Sequence, residues 1–158
     1  MLAAALVIGV VSTGCGKDNG REPGETPKWD PCTAFPDAAL SEVGLMPERK
    51  SAVQFPGETC GWVGHEYTLN VRYTSGEQAA GWQRVGADPK PVGVGSHRAH
   101  IYHLQGDRFP EFTCIIEIDV PEGNVVFDLR KADDIENDVC SDVTRVSSAL
   151  EKYIPPAK

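Results

Sequence analysis

The stretch Phe112-Thr113-Cys114-Ile115-Ile116-Glu117-Ile118-Asp119-Val120 decides the fold class. Alternation puts Phe112, Cys114, Ile116, Ile118 and Val120 on one face, the period of a half-buried strand. A second pattern follows it: Ile135, Val139, Val143, Val146, Leu150 and Tyr153 recur at helical spacing and form one apolar stripe. Asp133, Asp134, Glu136 and Asp138 crowd the start of that helix, while Arg145 and Lys152 lie further along, which complements the macrodipole. Pro155-Pro156 stops it. Cys114 on the strand and Cys140 at the edge of the stripe both face the shared core, so a bridge between them would staple the last helix to the sheet.

Working outward, Asn124 to Arg130 reads as the next strand, joined to the first by a hairpin turn at Glu122-Gly123-Asn124. Ala99 to Leu104, Thr59 to Val63 and Tyr67 to Thr74 are further strands, the last with Leu69, Val71 and Tyr73 on one face. Pro36 to Val43 is a short helix ended by Gly44. Glu77 to Val85 reads as a helical turn weakened by Gly81. Segment 86–98, with Gly86, Pro89, Pro91, Gly93 and Gly95, reads as a loop long enough to act as a lid or docking loop. Strands in series followed by a terminal helix give an α+β domain over residues 29–158: an antiparallel β-sheet with a C-terminal helix packed on one face. A PsbP-like arrangement is one form such a domain takes. There are no internal repeats.

The N-terminal segment carries a different message. Leu2 to Val11 is an uncharged apolar run, followed by Ser12-Thr13-Gly14-Cys15 and then a Gly/Pro/charge-rich tract. The run is too short to span a bilayer, which takes about 20 apolar residues, and matches the roughly 7–15 of a signal-peptide core. Residues 1–14 are therefore expected to be a lipoprotein signal peptide whose lipobox ends at Cys15. Cys15 is expected to be the lipidated first residue of the mature chain, carrying two or three acyl chains of the palmitate type, because one chain anchors only marginally. Ser12 stands where Leu is usual, and no Lys or Arg precedes the apolar run, which points to a start upstream of Met1. Residues 15–28 are read as the lipidated cysteine and a flexible tether, with a reach on the order of 20 Å. The expected location is the cell membrane, lipid-anchored on its extracytoplasmic face.

Net charge is −8 over 158 residues, with a pI near 4.9, and the first fifteen residues carry no charged side chain. An acidic domain of this kind has no electrostatic footprint for nucleic acid and will not cling to anionic headgroups, so the lipid must do the anchoring. Beyond Cys15 stand Cys32, Cys60, Cys114 and Cys140. An even count in an exported chain points to disulfides with three connectivities open, of which Cys32–Cys60 and Cys114–Cys140 are favoured as nearest in sequence. Each would contribute about 3–4 kcal/mol on the chain-entropy argument. Metal binding is not expected, because no two of these cysteines form a C-x-x-C clip and no histidine pair completes one.

Asp30-Pro31-Cys32 opening the domain, the short helix running into Gly44-Leu45, the Cys60-Gly61-Trp62 strand, the strand cysteine Cys114 and the helix-start cysteine Cys140 together carry a resemblance. Over roughly residues 29–154 the chain resembles an actinobacterial family of cell-envelope lipoproteins of unknown function. The resemblance implies an extracytoplasmic, lipid-anchored protein and implies no catalytic residues.

An enzyme is not expected. His97, His100 and His103 lie on one strand, where His97 and His103 share a face about 20 Å apart and His100 points the other way, each residue advancing roughly 3.3 Å. These read as surface and strand-edge histidines, so His97→Ala and His103→Ala are expected to be nearly neutral. His65-Glu66 reads as a solvated turn. Gly93-Val94-Gly95-Ser96-His97 makes neither a G-x-S-x-G elbow nor a G-x-G-x-x-G phosphate loop, and acidic pairs such as Asp133-Asp134 read as helix-start charges. No catalytic residue and no cofactor is assigned, and a small envelope hydrolase ranks behind binding. The expected function is a non-catalytic binding or accessory module, holding a small apolar or envelope ligand in an apolar pocket between sheet and helices. The alternative is a docking or scaffold subunit for another envelope protein. Among the aromatic residues Trp29, Trp62, Trp82, Phe109 and Phe112, the candidate contact surface is Trp82 and Phe109.

Overall fold

The alternation over 112–120 is realised as strand β6 (Thr113–Val120), preceded by a 3-10 turn (Pro110–Phe112). The computed structural model describes residues 29–52, 58–76, 89–103, 110–131 and 138–158. The signal segment, Cys15 and its tether, the helical turn at 77–85, Ile135, Trp82 and Phe109 lie outside the described residues.

β6 pairs antiparallel with β7 (Gly123–Lys131), setting Cys114 opposite Leu129, Ile116 opposite Phe127 and Ile118 opposite Val125, all fully buried. The turn falls at Pro121-Glu122, one residue earlier than the glycine suggested, because Gly123 is already paired with Val120. Glycine is required there for another reason: a Cβ would run into the Thr74 carbonyl oxygen of β3 (Tyr67–Ser75), the next strand over.

The strands among the described residues form one seven-stranded antiparallel sheet in the order β1-β2-β3-β7-β6-β5-β4. Two meanders, β1 (Leu45–Ala52)–β2 (Glu58–Gly64)–β3 and β4 (Lys90–Val94)–β5 (His97–Tyr102)–β6–β7, are sewn together along β3 and β7. The two strands that the sequence pattern hides are the two edges. β4 occupies part of the segment read as a loop, so that segment is no lid over 90–94. Pro91 and Gly93 punctuate it, but at an edge a missing proline N–H forfeits no ladder bond. The hairpin closes through Gly95-Ser96; Gly95 has φ +57° and a Cβ on it would meet the Glu151 carboxylate, so two demands converge on glycine. β1 carries Pro47, Glu48, Arg49 and Lys50, and its register shifts between Leu45 and Lys50. Proline and charge on both edges, with an irregular register on β1, oppose strand addition by another chain.

The helices pack on one face of the sheet. Helix α1 (Pro31–Ala34) precedes α2 (Asp37–Glu42), which ends at Gly44 with φ +89° as expected. Helix α3 (Val139–Leu150) runs on into a 3-10 turn (Glu151–Tyr153) and buries Val139, Val143, Val146 and Leu150. Fully buried Leu69, Val71, Phe127 and Leu129 from the sheet fill the layer beneath them. Trp62 joins that layer, while Trp29 sits edge-to-face on Phe35 and Tyr73 and donates its indole N–H to the Tyr153 carbonyl at 3.0 Å. These two tryptophans are core and core-lining.

Both disulfides form in the favoured pairing, Cys32–Cys60 and Cys114–Cys140, with Cα atoms 5.1 and 5.2 Å apart. Their helix ends share a device the sequence reading missed. Asp30-Pro31-Cys32-Thr33 and Asp138-Val139-Cys140-Ser141 are the same pattern: an aspartate N-cap accepts the backbone N–H of the cysteine two residues on, and its carboxylate also accepts the hydroxyl three residues on.

Candidate functional site

His97, His100 and His103 divide by face as alternation predicts, but not by exposure. His65 and Glu66 are exposed in the β2–β3 turn. His97 is a correction to the reading of it as a surface residue: it is buried, with Nδ1 3.0 Å from Glu151 Oε1 and Nε2 2.9 Å from the Pro155 carbonyl oxygen. It ties the chain's end to the β4–β5 hairpin, and its truncation to alanine removes both contacts. The Ser96 backbone N–H and hydroxyl donate to the same carboxylate oxygen at 3.3 and 3.2 Å. Glu151 is held below the usual carboxylate range, first by the Ser96 N–H and then by the Ser96 hydroxyl and His97. Ser96 is thus turned toward Glu151 and not toward His97, so the Ser-His pair is not a nucleophile with its base.

His103 is the second correction. It is half-buried against the Cys114–Cys140 bridge, with Nε2 3.4 Å from Cys140 Sγ and Nδ1 2.7 Å from the Thr113 carbonyl oxygen. A carbonyl oxygen can only accept, so Nδ1 donates its proton to it, and Nε2 is the ring atom turned to the sulfur. Among the described residues, His103, Cys114 and Cys140 bring ligand-type atoms within 4.8 Å of one another. The two sulfurs are bonded to each other and do not serve as thiolate ligands in this state. Spacing along the chain gives no sign of the meeting, because His103 joins a strand cysteine and a helix cysteine through the sheet.

The face of the sheet away from the helices is polar. Glu117 is buried there, accepting from Asn124 Nδ2 at 2.6 Å and from the Tyr102 hydroxyl at 3.3 Å. Toward the β4 edge, Pro91, Gly93, Arg98, His100 and Asp119 line a shallow concavity of about 470 Å³. The Arg98 side chain is 80% exposed, with its Nε 4.0 Å from Asp119. Arg98 and Asp119 face each other because β5 and β6 pair Ala99 with Ile118, which places both on the outer side. The sequence signal for them is polar residues at outward positions of otherwise apolar strands.

A family model described as a protein of unknown function, DUF3558, matches residues 10–153. The chain belongs to that family. No curated protein and no solved structure matches it, so the PsbP-like form has no comparison to support it. The match spans both disulfides, the β4–β5 hairpin and α3, so of the contacts above only the one to the Pro155 carbonyl lies outside it.

Proposed function

We propose that this chain is a lipid-anchored, extracytoplasmic binding or accessory module of the cell envelope, of the actinobacterial lipoprotein type, held by acyl chains on Cys15. The polar face of the sheet near β4 is its contact surface. The observation that carries the binding reading is the concavity lined by Arg98, His100 and Asp119 on the polar face of the sheet. A cationic guanidinium beside a carboxylate suits a small polar or zwitterionic envelope ligand better than the apolar ligand expected from the sequence. Two disulfides behind a lipobox-type segment fit an oxidising compartment. Docking on another envelope protein through the same face is the alternative.

Native mass spectrometry on protein extracted gently from its own membranes tests this. The expected result is a covalent acyl mass on Cys15 and a non-covalent mass of small-molecule size that is lost in Arg98→Glu. A bound polypeptide in its place would select the docking alternative. A chain with neither acyl mass nor companion refutes the proposal.

A further inference from the structure

We propose that the Cys114–Cys140 bridge is an exchangeable disulfide, opened by a dithiol that attacks Cys140 with His103 as the proton carrier. The inference concerns the folded domain and stands apart from the lipid on Cys15.

Three features meet at this bridge. Its two sulfurs are unequal: Cys114 is fully buried on the central sheet, whereas Cys140 is partly exposed at the start of α3. Attack is therefore directed to Cys140, because access decides which sulfur an incoming thiolate reaches. Secondly, Cys140 lies in the first turn of a twelve-residue helix, where the dipole favours a thiolate. The N-cap carboxylate of Asp138 is occupied by the N–H groups of Cys140 and Ser141 and by the Ser141 hydroxyl. Thirdly, His103 turns Nε2 to Cys140 Sγ at 3.4 Å, and the Thr113 carbonyl holds its proton on Nδ1.

The exchange balances as follows. His103 Nε2 takes the proton of the first thiol, whose sulfur bonds to Cys140 Sγ. The Cys114–Cys140 bond breaks, its electron pair leaves on the Cys114 sulfur, and the imidazolium returns the proton to that sulfur, which lies within 4.8 Å. The second thiol of the reductant then attacks its own sulfur in the mixed disulfide and expels Cys140 as thiolate, which receives the second proton through the same imidazole. One dithiol becomes one disulfide and the protein gains two thiols. The chemical class of the partner is thus a dithiol, whether a small molecule or a protein with paired cysteines.

Cys32–Cys60 is a built-in control. It has the same Asp-x-Cys cap, a buried strand cysteine and a partly exposed helix cysteine, and His103 lies on the other bridge. The experiment exposes the intact oxidised chain to limiting dithiothreitol, quenches by alkylation and maps the labelled peptides over time. Cys114 and Cys140 should be labelled roughly tenfold or more faster than Cys32 and Cys60, a lead within the reach of general acid–base help, which is worth about 10²–10⁴-fold. His103→Gln should erase most of that lead and leave the Cys32–Cys60 rate unchanged. A water-soluble phosphine attacks sulfur without a thiol proton to remove, so with it the wild-type and His103→Gln rates should agree. Equal dithiol rates for the two wild-type bridges overturn the proposal. So does a His103→Gln loss that is as large with phosphine as with dithiol, since that assigns His103 to packing alone.

Discussion

Helices α1 and α3 start in the same way, on Asp-x-Cys-(Thr/Ser), and each is bridged at once to a buried strand cysteine. The sequence separations across the bridges, 28 and 26, are nearly equal, so loop entropy makes them worth about the same, roughly 3–4 kcal/mol each. What they hold differs. α1 is four residues long, far below the length at which a helix stands alone. α3 has twelve residues, and its apolar face is sealed by Val143, Val146 and Leu150. It has a further anchor in the buried pair between Lys131 Nζ and Asp142 Oδ2, 2.7 Å apart, with Arg145 closing on Oδ1 at 3.1 Å. At α1 the bridge substitutes for a core, whereas at α3 it is redundant for holding the helix. Redundancy is what allows a bridge to be opened without unfolding the element it joins.

The strongest attack on this contrast goes through the ion pair. Asp142→Asn leaves the Lys131 ammonium, 2% exposed, without its carboxylate, and breaking a buried pair in this way costs roughly 3–5 kcal/mol. Urea unfolding should report that loss at an unchanged m-value. A change under about 1 kcal/mol would remove the ion pair from the anchors of α3 and weaken the claim that its bridge is spare.

Removing the bridges one at a time sharpens the comparison. Cys32→Ser with Cys60→Ala and, separately, Cys114→Ala with Cys140→Ser should each lower global stability by about 3–4 kcal/mol. Hydrogen exchange should separate them. Loss of the first bridge should strip protection from residues 31–42, while loss of the second should leave α3 protected to nearly the new global limit. Fraying of α3 as severe as that of α1 would make the two bridges equivalent and remove the ground for calling one of them exchangeable.

Central strands and the last helix were legible because packing on one side imposes a period: Leu69, Val71 and Tyr73, or Val143, Val146 and Leu150, read directly as buried faces. Edge strands β1 and β4 were not, since an edge protects itself with the proline, glycine and lysine that also mark loops. α1 was missed because a four-residue helix has no period to show, although Asp30 before Pro31 is a helix-start signature. Burial of His97 and the approach of His103 to the bridge were illegible in principle: each depends on a partner more than thirty residues away, Glu151, Pro155 or Cys140. Trp82 and Phe109, the contact residues chosen from sequence, lie outside the described residues. The concavity proposed in their place lies at outward positions of β5 and β6.

The smallest expected effect is a pH dependence at the start of α3. Asp138 is held below the ordinary aspartate range, first by the Ser141 hydroxyl and then by the N–H groups of Cys140 and Ser141 that oppose its desolvation. A carboxyl whose folded-state pKa is depressed contributes its full stability above the unfolded value, near 4, and loses it as pH falls through the lower folded value. Wild type and Asp138→Asn should therefore differ by a constant amount above about pH 5, and the gap should narrow below about pH 4 as the wild-type cap takes up its proton. The amide retains an N-cap oxygen, so the plateau difference is modest, under about 1 kcal/mol. A gap that stays constant to pH 2 would mean the charge on Asp138 contributes nothing at this helix start.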